Sequence, residues 1–127
     1  FFYQKKFSQL NTTDKEIAKE NFQGNFQEKK VKCQTIKNIL DNSKYKNKKI
    51  DFLNIDVEGA EMKVLNTLNF EIYDPSLICV EILGYREMQS EQKEKEIKNN
   101  EIYKFLVNQG YKKVWSGLSY CSHLFTK

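Results

Sequence analysis

Ile50-Asp51-Phe52-Leu53-Asn54-Ile55-Asp56-Val57-Glu58-Gly59-Ala60-Glu61 is the stretch that decides the fold. Ile50, Phe52, Leu53, Ile55 and Val57 are its apolar positions before the glycine. Apolar residues of both parities predict a strand buried on both faces, as in the middle of a parallel sheet. Gly59 permits a sharp strand-to-helix turn and close approach of a ligand. Ala60, Val64, Leu65 and Leu68 then share one helical face, which predicts a helix over 60–68.

Downstream, Tyr73-Asp74-Pro75 reads as a turn, and 77–83 as a second buried strand. Residues 90–109 read as one charged helix with Ile97, Ile102, Phe105 and Leu106 inward, closed by Gly110. Residues 111–115 and 119–125 read as a terminal hairpin around Gly117. Upstream, Phe1-Phe2-Tyr3 reads as a strand. Thr12-Thr13-Asp14 reads as a helix N-cap, with Ile17, Ala18 and Phe22 at helical spacing. Residues 29–33 read as a short strand and 35–41 as a short helix. From Ile50 on, the order is strand, helix, strand, helix, strand, strand. That order predicts an α/β fold with a mainly parallel sheet ending in an antiparallel hairpin.

The 127 residues make about one domain. Apolar residues at 39% exclude a disordered chain. The longest apolar run is four residues, Leu77-Ile78-Cys79-Val80, far short of the roughly 20 a membrane helix needs. The net charge of +4 hides a pattern. Residues 1–50 carry 12 basic and 5 acidic groups, whereas 51–84 carry 1 and 7. The acidic stretch is thus the most patterned one, the reverse of what a nucleic-acid groove wants. Cys33, Cys79 and Cys121 are widely spaced, with no CxxC or Cys/His cluster, so neither zinc nor a disulfide framework is expected. Reduced thiols fit a cytoplasmic setting.

Ligands in open parallel sheets sit beyond the carboxyl ends of strands. Two strand ends here carry acids: Asp56, Glu58 and, one turn on, Glu61 at the first, and Glu81 at the second. Glu58 and Glu61 also fit a plain role as first-turn acids favoured by the helix dipole. Glu81 fits either a satisfied structural acid or a site residue. The acids lack EF-hand spacing, so no metal is assigned. His123 is the single histidine, on the last strand.

The stretch from Ile50 to Glu61, with Val64-Leu65 after it, resembles the hallmark of the FkbM family of S-adenosylmethionine-dependent methyltransferases. Val-Glu-Ile at 80–82 and Gly110-Tyr111 before the hairpin add to the likeness. The resemblance covers roughly residues 10 to 127. It implies a Rossmann-like class I methyltransferase fold, of which this chain supplies the C-terminal half only. It also implies methyl transfer to a hydroxyl of a small molecule or sugar. By resemblance Asp56 and Glu58 are the catalytic candidates; Glu81 and His123 are candidates for substrate binding from their places on the strands.

The pattern departs from such folds in one place. They hold the cofactor through a Gly-rich turn, and glycines here stand only at 24, 59, 84, 110 and 117. That turn is expected upstream of Phe1, and residues 1–127 are expected to form one partial domain, inactive alone. A half-domain would leave an open sheet edge, so self-association through it is expected. The alternative is a non-catalytic remnant or binding domain of the same fold. A divalent-metal hydrolase on Asp56, Glu58 and Glu61 ranks last.

Overall fold

A computed structural model describes residues 1–5, 10–22, 24–82, 90–117 and 121–127. The chain begins with β1 (Phe2–Tyr3), which pairs antiparallel with β2 (Gln27–Glu28). Between them lies α1 (Lys15–Asn21), capped by the Asp14 carboxylate on the amides of Glu16 and Ile17. Phe2, Ala18 and Phe22 form a small cluster there, with Phe26 packed against it. The short strand expected at 29–33 is not formed; the pairing partner of β1 lies two residues earlier. Next come α2 (Ile36–Asp41), capped by Thr35, and β3 (Phe52–Ile55).

After β3 follow α3 (Glu61–Leu65), α4 (Phe70–Tyr73) and β4 (Leu77–Glu81). The last elements are α5 (Ser90–Asn99), α6 (Glu101–Asn108), β5 (Lys112–Ser116) and β6 (Ser122–Thr126). The single helix expected over 90–109 is therefore two. Asn100 ends the first, and its side-chain oxygen accepts from the Ile102 amide to cap the second. Gly110 closes α6 in the left-handed region, as expected.

Among the described residues the main sheet has four strands in the order β3-β4-β6-β5. Of their ladders only β3–β4 is parallel; β6 pairs antiparallel with both β4 and β5. By pairing the sheet is mostly antiparallel, which corrects the expectation of a mainly parallel one. The reason is the position of β6. It inserts between β4 and β5, so the closing hairpin contributes two of the three ladders.

One face of this sheet is the core. Ile55, Ile78, Val80 and Phe125 pack there with Leu65, Ile97, Ile102 and Leu106 from the helices. The opposite face carries Phe52 and Trp115, which are 54% and 50% exposed. The expectation that β3 is buried on both faces is thus also corrected. Among the described residues β3 is an edge strand, and no helix covers its second face.

The N-terminal ends of β3 and β4 are tied to the last strand by charge and hydrogen bonds. Asp74 accepts from Lys49 Nζ at 2.7 Å and from Lys127 Nζ. Tyr111 donates its hydroxyl to the Pro75 carbonyl, and Tyr73 donates its own to Asp41. Hydrogen bonds from Lys127, then from Lys49, hold the Asp74 carboxyl down at about 2. A carboxyl depressed by folding adds stability above its unfolded value of about 3.9, and that share is lost as pH falls through the folded value. Replacing Asp74 with Asn should therefore flatten the acid limb. Circular-dichroism unfolding curves should show the natural chain losing more midpoint than the variant on going from about pH 4 to about pH 2.

Candidate active site

The strand β3 stops at Ile55, and the chain turns within five residues into α3. The turn is unusual in its backbone. Glu58 has φ +53° and Gly59 φ +91°, so two consecutive residues lie in the left-handed region. A side chain at Gly59 is excluded twice over. A Cβ there would sit 2.8 Å from Ile17 Cδ1, and the positive φ disfavours any L residue.

Glu61 holds this turn. Its side chain is buried, and its Oε1 accepts from the amides of Val57 at 3.0 Å and Gly59 at 3.2 Å. A carboxylate that accepts backbone N–H groups makes stronger hydrogen bonds than a neutral acceptor. The sequence reading of Glu61 as a first-turn dipole acid located it correctly but gave no sign of this brace. A second tie comes from the N-terminal cluster. The buried Thr12 hydroxyl donates to the Glu58 carbonyl at 3.4 Å and accepts from the Asp14 amide. Those partners are 46 residues apart, and only the packing of α1 on the turn brings them together.

The parallel register pairs Ile55 with Val80, so Asp56 and Glu81 follow side by side at the strand ends. Carboxylate oxygens of Asp56, Glu58 and Glu81 all lie within 4.8 Å of one another. Asp56 is exposed, while Glu58 and Glu81 are half-buried. The cluster thus forms at the rim of the sheet, toward the face that helices leave open. Burial, and then the Asp56 charge, push the nearby Cys79 thiol above its ordinary value. An arrangement of this kind can accept a proton, orient a hydroxyl and favour a cationic group.

His123 sits elsewhere. It pairs with Val80 across the β4–β6 ladder and is fully buried, on the opposite face from Glu81. Its Nδ1 is 3.0 Å from Ser116 Oγ, which accepts from Lys113 Nζ at 2.9 Å. Lys113 is in turn paired with Glu94 at 2.7 Å. This chain from Glu94 to His123 links α5 to the hairpin, and no local motif announces it.

The acids at adjacent strand ends thus belong to an α/β domain. A family model, that of the methyltransferase FkbM domain, matches residues 2–113. The chain belongs to the FkbM methyltransferase family. No curated protein and no solved structure matches it.

The close approach at Gly59 yields a direct test. Gly59→Ala should destabilise the protein by about 1–3 kcal/mol in urea unfolding, the usual cost of a strained backbone position. Combining it with Ile17→Ala should recover part of that loss by removing the contact, and not the part set by φ.

Proposed function

We propose that the protein transfers a methyl group from S-adenosylmethionine to a hydroxyl oxygen of a small molecule or sugar. Membership in the FkbM methyltransferase family supports the reaction class. The observation that carries the site is the convergence of Asp56, Glu58 and Glu81 at two adjacent strand ends, all within 4.8 Å. The negative charge of this group suits the cationic sulfonium of the methyl donor. The strand order β3-β4-β6-β5 and the uncovered face of β3 support reading this sheet as the C-terminal half of a class I methyltransferase fold.

In this reading the bound cofactor supplies an electrophilic methyl group. Asp56, the most exposed of the three acids, takes the proton of the acceptor hydroxyl. Glu58 orients that hydroxyl, its backbone held in one conformation by Glu61 and Thr12. Glu81 adds negative charge from the neighbouring strand. His123 acts at a distance, by fixing the hairpin strand that pairs with β4. Alignment supplies much of the acceleration in a displacement of this type, and a positioned base adds about 10²–10⁴-fold.

The test is Asp56→Asn in the natural protein. Transfer of radiolabelled methyl from S-adenosylmethionine to a panel of hydroxyl acceptors should fall about 10²–10⁴-fold. Unfolding free energy should stay within about 0.5 kcal/mol, because the side chain is exposed. An unchanged rate would remove Asp56 from the mechanism.

A further inference from the structure

A cleft of about 470 Å³ opens beside Val57, the residue between Asp56 and Glu58. One wall is the acid-bearing turn and α3, with Val57, Ala60, Lys63 and Val64; the other is the segment from Cys33 to Ile36. Its size falls in the range of small-molecule sites. A larger hollow of about 580 Å³ beside α4 and α6 is lined by no residue of the acid-bearing turn.

The charge around this cleft is one-sided. Lys63 is the one charged residue among those that line it, and no ion pair engages it among the described residues. The chain leading into the wall segment carries Lys29, Lys30 and Lys32, with no acid between 29 and 40, while Lys37 beyond it lines the other hollow and is paired with Asp41. Asp56 and Glu58 flank Val57 in the chain, Glu81 lies with them, and none of the three lines the cleft. A ligand that spans Val57 therefore meets positive charge at one end and negative charge at the other. Between them it meets the apolar side chains of Val57, Ala60 and Val64.

We infer that this cleft seats the anionic end of the acceptor, and that the acceptor is a hydroxy carboxylic acid with an apolar body. The inference rests on the methyl-transfer reading for the hydroxyl end alone. Lys63 is the one ammonium inside the cleft, the lysines at 29, 30 and 32 standing before its wall segment, so the lining itself matches one negative charge, as a carboxylate carries, better than the two of a phosphate dianion. The apolar wall takes the body of the molecule. The carboxylate pairs with Lys63 in the cleft, and the hydroxyl reaches past Val57 toward Asp56. The acid cluster rejects an acceptor docked the other way round, because like charges would then meet.

Cys33 lines the cleft and is exposed, so its alkylation by iodoacetamide reports occupancy without cofactor or turnover. Three probes share a phenol body: 4-hydroxyphenylacetate, the neutral 2-(4-hydroxyphenyl)ethanol and the cationic tyramine. Peptide mass spectrometry should show 4-hydroxyphenylacetate slowing Cys33 alkylation most and tyramine least. Lys63→Gln should raise the concentration for half-protection by roughly five- to tenfold, as expected for one lost charge-assisted hydrogen bond. Lys112→Gln, on the far hairpin, should leave it unchanged. Equal protection by all three probes, no protection at millimolar concentration, or indifference to Lys63→Gln would overturn the inference. Failure of methyl transfer with Cys33 protection intact would instead count against the catalytic reading and leave the anion site standing.

Discussion

One buried carboxylate holds the acid-bearing turn of this protein. Glu61 accepts hydrogen bonds from the amides of Val57 and Gly59, which flank a residue whose backbone is left-handed. Left-handed conformations at a non-glycine residue are unfavourable by about 1–3 kcal/mol and persist only when their surroundings over-determine them. Here the surroundings are the Glu61 oxygen, the Thr12 hydroxyl and the side chain of Ile17 against Gly59. In this conformation the Glu58 carboxylate lies within 4.8 Å of those of Asp56 and Glu81.

This constraint couples the two parts of the chain. The small aromatic cluster around Phe2, Phe22 and Phe26 contributes little to the main core. It reaches the acid-bearing turn through Thr12 and Ile17, which touch that turn from outside the sheet. At the other end of the sheet, Asp74, Tyr73 and Tyr111 anchor the strand starts. The sheet is thus pinned at one end by polar contacts and braced at the other by a carboxylate. The acids lie at the braced end, where the geometry of adjacent strands brings their charges together.

Much of this was legible in the residues. Strand ends in α/β sheets single out Asp56, Glu58 and Glu81, and the structure brings their carboxylates within 4.8 Å of one another. Helices at Ile17, Ile36 and Ile102 followed from periodicity and caps. The misreadings have physical causes. Apolar residues at both parities of β3 were taken to mean two covered faces, yet Phe52 and Val57 are exposed. Apolar pattern records what a strand tolerates, and a neighbour must be present to bury it. The break at Asn100 is hidden because no glycine or proline marks it between 90 and 109. The two-residue strand Gln27–Glu28 has no pattern of its own and exists through its pairing with Phe2 and Tyr3. The ties from Thr12 to Glu58 and from Glu94 to His123 join residues distant in sequence, and no spacing rule reaches that far.

Amide hydrogen exchange tests the braced turn most directly. In the natural protein the Val57 and Gly59 amides should exchange slowly although the backbone around them lies outside any ladder. Glu61→Ala should speed both together by at least tenfold, while the ladder amides of β4 keep their protection. Two amides that exchange freely in the natural protein, or that keep their protection without the carboxylate, would contradict the account.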